Sequence, residues 1–119
     1  MTEIEMKRRT KGFAIRILKL IEALPEGRTT RIVANQLGRA GTSLAANYRA
    51  VCRAKSGADM VAKITTVEEE ADECAFWLEL LSDTGLMTAA QIGALLKEAG
   101  ELTAIMVASR KTLLGGNRK

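Results

Sequence analysis

Between Met60 and Leu81 the chain places Met60, Ile64, Val67, Ala71, Cys74, Leu78 and Leu81 at steps that alternate between four and three. A strand would repeat every second residue, so this spacing describes one stripe along a helix of more than six turns. Such a stripe is buried only against other helices that carry stripes of their own. That requirement constrains the fold more than any other feature of the sequence.

Three further segments meet it. Phe13, Ile17, Leu20 and Leu24 are spaced four, three and four, and Pro25-Glu26-Gly27 stops that run. Pro cannot continue the hydrogen-bond ladder, and Gly permits the turn. Val33, Leu37, Ala40, Leu44, Asn47 and Val51 form a second seam, broken by Ser56-Gly57; Ser56 with Asp59 then resembles a capping pair for the Met60 helix. Asp83-Thr84-Gly85 closes that helix, and Thr88 with Gln91 forms a capping box for a last one carrying Ile92, Leu95, Ala99, Leu102, Met106, Ser109 and Leu113.

The expectation is a single all-α domain over residues 1–119, an antiparallel up-down-up-down four-helix bundle with helices at about 11–24, 30–55, 58–82 and 89–114. Scarce aromatics (3%) and a lone Pro agree with it. No apolar run approaches the roughly 20 residues that span a bilayer, and Met1 to Lys11 lacks a signal-peptide core. A cytoplasmic protein with no membrane role is expected.

The second helix contains an anomaly. Gln36, Ala40, Ser43 and Asn47 form a stripe with polar members, and Asn47 also falls on the apolar seam. Polar groups on a packed stripe are destabilising unless they find partners. Arg39, Ser43 and Asn47 share one helix face, Glu70 and Glu73 lie beside the third seam with Trp77, and Glu98 precedes Ala99 of the fourth. These residues are expected to form an interhelical polar layer that sets register. Gly38 and Gly41 are expected to let a neighbouring helix approach closely.

Chemistry is poorly served. The sequence has no His, hence no Glu-x-x-His pair for a dinuclear site and no imidazole base for Ser43 or Thr42. Cys52 and Cys74 lack CxxC spacing and read as small, reduced core or near-core residues. Gly38-Arg39-Ala40-Gly41-Thr42-Ser43 lacks the Gly-Lys-Ser/Thr of a phosphate loop. No catalytic residue, cofactor or metal is expected.

Charge is segregated. Residues 1–55 hold 12 Lys/Arg against 4 Asp/Glu, residues 56–104 hold 2 against 10, and the tail adds four more cations. One reading is mutual neutralisation of antiparallel helices. The other is a basic surface for phosphates, drawn from Lys7, Arg8, Arg9 and Lys11, from Arg28, Arg31, Arg49, Arg53 and Lys55, and from Arg110, Lys111, Arg118 and Lys119. The acidic third helix suits a basic protein partner.

The pattern Gln36-Leu37-x-Arg39-Ala40-x-x-Ser43-Leu44-x-x-Asn47, then Lys63-Ile64, then Glu70-Ala71-x-Glu73-x-x-x-Trp77-Leu78-x-Leu80-Leu81 resembles the four-helix bundle proteins known as the 23S rRNA intervening-sequence protein family. Phe13 to Pro25 and Glu98-x-x-Glu101-Leu102 fit its first and fourth helices. The resemblance implies a homo-oligomer, a ring-shaped pentamer. It also implies kinship with accessory proteins of diversity-generating retroelements, which engage nucleic acid and a reverse transcriptase. The family often carries Glu two positions after Asn47, where this chain has Arg49, so a carboxylate role there does not transfer. The expected function is a non-enzymatic accessory factor contacting RNA or DNA; the alternative is a scaffold that binds only protein.

Overall fold

A computed structural model describes residues 1–116; Arg118 and Lys119 lie outside them. Four helices follow one another: α1 (Glu3–Glu22), α2 (Arg28–Val51), α3 (Gly57–Asp83) and α4 (Ala89–Gly116). They form an antiparallel up-down-up-down four-helix bundle measuring 52 × 22 × 20 Å. Each helix packs on its chain neighbour, while α1 and α4 touch only lightly.

α1 begins eight residues earlier than expected. Thr2 and Glu5 form a capping box, in which the Glu5 N–H donates to Thr2 Oγ1 at 3.1 Å and the Thr2 N–H donates to Glu5 at 3.4 Å. The added turns bury Met6 and Thr10, whose hydroxyl donates to the Met6 carbonyl at 2.9 Å. α2 starts two residues sooner than expected and ends four sooner. The side chains expected to cap α3 and α4 do so. Ser56 Oγ accepts the Asp59 N–H at 3.1 Å, and Thr88 and Gln91 exchange bonds of 2.8 and 3.2 Å. Gly85, at φ 78°, supplies the left-handed turn after α3.

The core follows the middle of the seams, with one substitution in α2, while Leu20, Leu24, Met60, Ser109 and Leu113 at the seam ends are only partly buried. Ile64, Val67, Ala71, Cys74, Leu78 and Leu81 of α3 are buried, as are Ile92, Leu95, Ala99, Leu102 and Met106 of α4. In α2 the core continues from Leu44 to Tyr48, and Asn47 is only half-buried. A real helix turns 3.6 residues, so a strict four-three count drifts by one position here.

α1 sits close on α2 because α2 presents glycine. A Cβ on Gly41 would lie 3.1 Å from Ile17 Cγ2, and one on Gly38 would lie 3.3 Å from Ile21 Cδ1. Ile17 is wholly buried in that contact.

Candidate functional site

The polar residues of α2 separate into two groups. Arg39 faces α3: its Nη1 donates to Glu70 at 3.0 Å, its Nη2 pairs with Glu73, and its Nε donates to Gln36 at 3.4 Å. The Trp77 indole N–H donates to the same Glu73 carboxylate at 3.1 Å. Glu73 and then Glu70 raise the Arg39 pKa above its ordinary value. The Arg39 side chain is 48% exposed, so water shares this cluster.

Asn47 and Ser43 do not join it. Asn47 Nδ2 donates to the Ser43 carbonyl and to Ser43 Oγ, both at 2.9 Å, so both polar side chains are satisfied within their own helix. The expected partnership with a carboxylate is corrected on this point. The one-position drift of the core turns Asn47 aside from the seam, where a side chain can bond its own preceding turn. Glu98 is also elsewhere. It accepts from Arg9 Nε at 2.7 Å and Nη2 at 2.6 Å, and so ties α4 to α1 rather than to α2. Glu101 receives a further contact at 3.3 Å.

Two of the basic residues are therefore engaged internally. Arg9 is held by Glu98 and Glu101, and Arg110 donates to Glu68 at 3.0 Å, joining α4 to α3. The acceptors Glu68 and Glu101 escaped sequence reading, although Glu98-x-x-Glu101 places two carboxylates on one face and Glu68 adjoins seam residue Val67.

The remaining cations are exposed. Arg28 and Arg31 stand at the start of α2, Arg53 and Lys55 in the turn after it, and Lys111 on the last part of α4. Lys7, Arg8 and Lys11 of α1 meet Arg49 of α2 across an open groove floored by Ala45 and Ala46. Among the described residues none of these four forms an ion pair. The arrangement is a strip of uncompensated positive charge with walls on two helices and a floor too small to obstruct a phosphate.

The chain belongs to the 23S rRNA-intervening sequence protein family. The family profile matches residues 2–108, from the first cap to the last turns of α4. A crystal structure of a protein of unknown function from the S23 ribosomal protein family of Bacteroides thetaiotaomicron superposes with a TM-score of 0.86 at 31% identity. The match covers 94% of this chain and all of that one. Among curated proteins none matches.

For an intervening-sequence protein the two thiols offer little reactivity. Burial pushes the Cys74 thiol up to about 12, reinforced by Glu70 and Glu73, and burial also raises Cys52. Both are free thiols, held in the protonated, weakly nucleophilic form. Among the described residues no cluster of acidic or thiol side chains is placed to hold a metal, and no helix is long and apolar enough to cross a membrane.

Proposed function

We propose that this intervening-sequence protein is a non-enzymatic, self-associating accessory factor that contacts the backbone of RNA or DNA. The observation that carries the reading is the groove of Lys7, Arg8, Lys11 and Arg49. Like charges four residues apart on one helix destabilise it by a few tenths of a kcal/mol, and Arg49 adds to the repulsion from the facing helix. A polyanion relieves that repulsion and releases its own counterions on binding. The sequence resemblance to retroelement accessory proteins makes a reverse transcriptase the first enzyme to test as a companion.

Self-association is supported by apolar side chains that the single chain leaves outside. Ile15 and Leu18 lie on α1 beyond Lys11, at 44% and 46% exposure, and Ile32 of α2 is 63% exposed. Burying these side chains requires another surface. A pentamer is the assembly to look for, by light scattering of the purified chain.

Titrating salt against binding to a structured RNA and to single-stranded DNA tests the nucleic-acid reading. Affinity should fall steeply as salt rises. Absence of binding at low salt, or binding indifferent to salt, sinks the idea.

A scaffold that binds protein alone has one observation in its favour. Glu69, Asp72, Phe76, Glu79 and Asp83, spaced three, four, three and four, form an exposed acidic stripe on α3 around a half-exposed aromatic ring. A scaffold would retain a basic protein partner after nuclease treatment; the accessory factor would lose its nucleic-acid-bridged partners.

A further inference from the structure

We infer that the α1–α2 groove takes the backbone of a double-stranded nucleic acid in preference to a single strand. This rests on the nucleic-acid reading and adds the class of ligand.

Binding to single strands draws on aromatic platforms, each stacked base contributing about 1–3 kcal/mol. The groove has none. Its lining is cationic and methyl-sized, Lys7, Arg8, Lys11 and Arg49 over Ala45 and Ala46. The chain's four aromatic residues are placed elsewhere. Phe13 and Tyr48 are buried in the core, while Phe76 and Trp77 stack edge to face on α3. Trp77 has its indole N–H committed to Glu73. A base turned toward this groove meets neither a ring to stack on nor an uncharged side-chain amide or hydroxyl to read its edge.

Phosphate is therefore the ligand group, and its spacing decides between duplex and single strand. Duplex DNA presents one charge per about 1.7 Å of axis, against about 3.4 Å along one strand, and it condenses more counterions for each phosphate neutralised. Three cations on α1 facing Arg49 on α2 suit a rigid duplex edge whose phosphates are already in place. A flexible strand must be ordered to reach both helices, with no stacking to offset the lost entropy. Duplex DNA and duplex RNA share this chemistry, and nothing in the groove lining favours the 2′-hydroxyl of one over its absence in the other.

The test is fluorescence anisotropy with the full chain and a labelled duplex of about ten base pairs, as DNA and as RNA, beside each separated strand. If all four cations contact phosphates, the salt exponent is about 3.6 for duplex DNA and about 2.8 for a single strand. Raising salt from 50 to 200 mM then weakens duplex binding about 150-fold and single-strand binding about 50-fold for each groove engaged. Duplex should bind more tightly at 50 mM. Replacing Lys7, Lys11 and Arg49 together by Ala should reduce the duplex salt response to about 3.5-fold, with the helical circular dichroism unchanged. Lys7→Arg with Lys11→Arg should bind as wild type. Single strands binding as tightly as duplex at 50 mM overturn the duplex inference and leave the nucleic-acid reading standing. Wild-type duplex binding by the triple variant removes the groove as the site. No binding to any probe removes both.

Discussion

Arg9 of α1 holds Glu98 of α4 at two points, Nε to one carboxylate oxygen at 2.7 Å and Nη2 to the other at 2.6 Å, across the lightest seam of the bundle. The two side chains are 23% and 15% exposed, so water screens the pair less than it screens Arg39. Two parallel charge-assisted bonds of this geometry are the strong kind of surface ion pair.

Arg9→Ala should therefore cost about 1–2 kcal/mol, above the usual surface pair and below a fully buried one. For a chain of this size that lowers the melting temperature by roughly 4–8 °C. Arg39→Ala, at the water-shared cluster, should lower it less. Thermal melts followed by circular dichroism compare the two, and equal shifts would show that the α1–α4 grip has no special weight.

How much of this was legible in the sequence depends on what each residue needed. The α3 and α4 seams were, because unbroken four-three spacing leaves one way to bury them. The start of α1 was not: Lys7, Arg8, Arg9 and Lys11 read as a charged lead, though Thr2 with Glu5 already carried the capping signal. Tyr48 displaced Asn47 from the core because residue counts drift against the true helical turn. Arg39 with Glu70 and Glu73 could be read from shared faces of sequential helices. Arg9 with Glu98 could not, since the pair is 89 positions apart and depends on the closing of the bundle. The groove depends on the same three-dimensional step, because Arg49 joins Lys7 and Lys11 only once α2 folds back on α1.

Glycines on different faces should respond in opposite directions. Gly41→Ala drives a methyl to 3.1 Å from Ile17 Cγ2 and 3.3 Å from its Cβ, and this stiff, buried side chain has no room to yield. Overpacking costs about 1–3 kcal/mol, while the helix-propensity gain is about 1. The net expectation is destabilisation by about 1 kcal/mol. Gly100→Ala, in mid-α4 with open space around it, should instead stabilise by about 0.5–1 kcal/mol. Urea unfolding of both variants checks the contrast; a stabilised Gly41→Ala would show that α1 is free to back away.

Glu73 and Glu70 both meet Arg39, but only Glu73 also accepts the indole N–H of Trp77. Trp77 is the sole tryptophan, so the emission comes from this side chain alone. Glu73→Ala should shift the emission and increase acrylamide quenching, as the indole loses its anchor. Glu70→Ala should leave both close to wild type. Identical spectra for the two variants would mean that Glu73 does not position the ring.

Alkaline pH should unfold the protein through two buried acids. Burial pushes both the Tyr48 hydroxyl and the Cys74 thiol up to about 12, from ordinary values of 10.0 and 9.0. Below pH 9 both groups are protonated whether the chain is folded or unfolded, and their contribution is fully present. Between pH 9 and 12 the unfolded chain ionises while the folded chain does not, so the unfolded state binds fewer protons and stability falls as pH rises. Each group steepens the fall toward about 1.4 kcal/mol per pH unit. Tyr48→Phe should flatten the slope above pH 10, and Cys74→Ala should flatten it from pH 9, even where the smaller side chain lowers stability at neutral pH. Tyr48 is the only tyrosine, so phenolate absorbance of the native protein follows it directly. Ionisation near pH 10 while the helices remain intact would place the hydroxyl in water and remove this account of the alkaline limb.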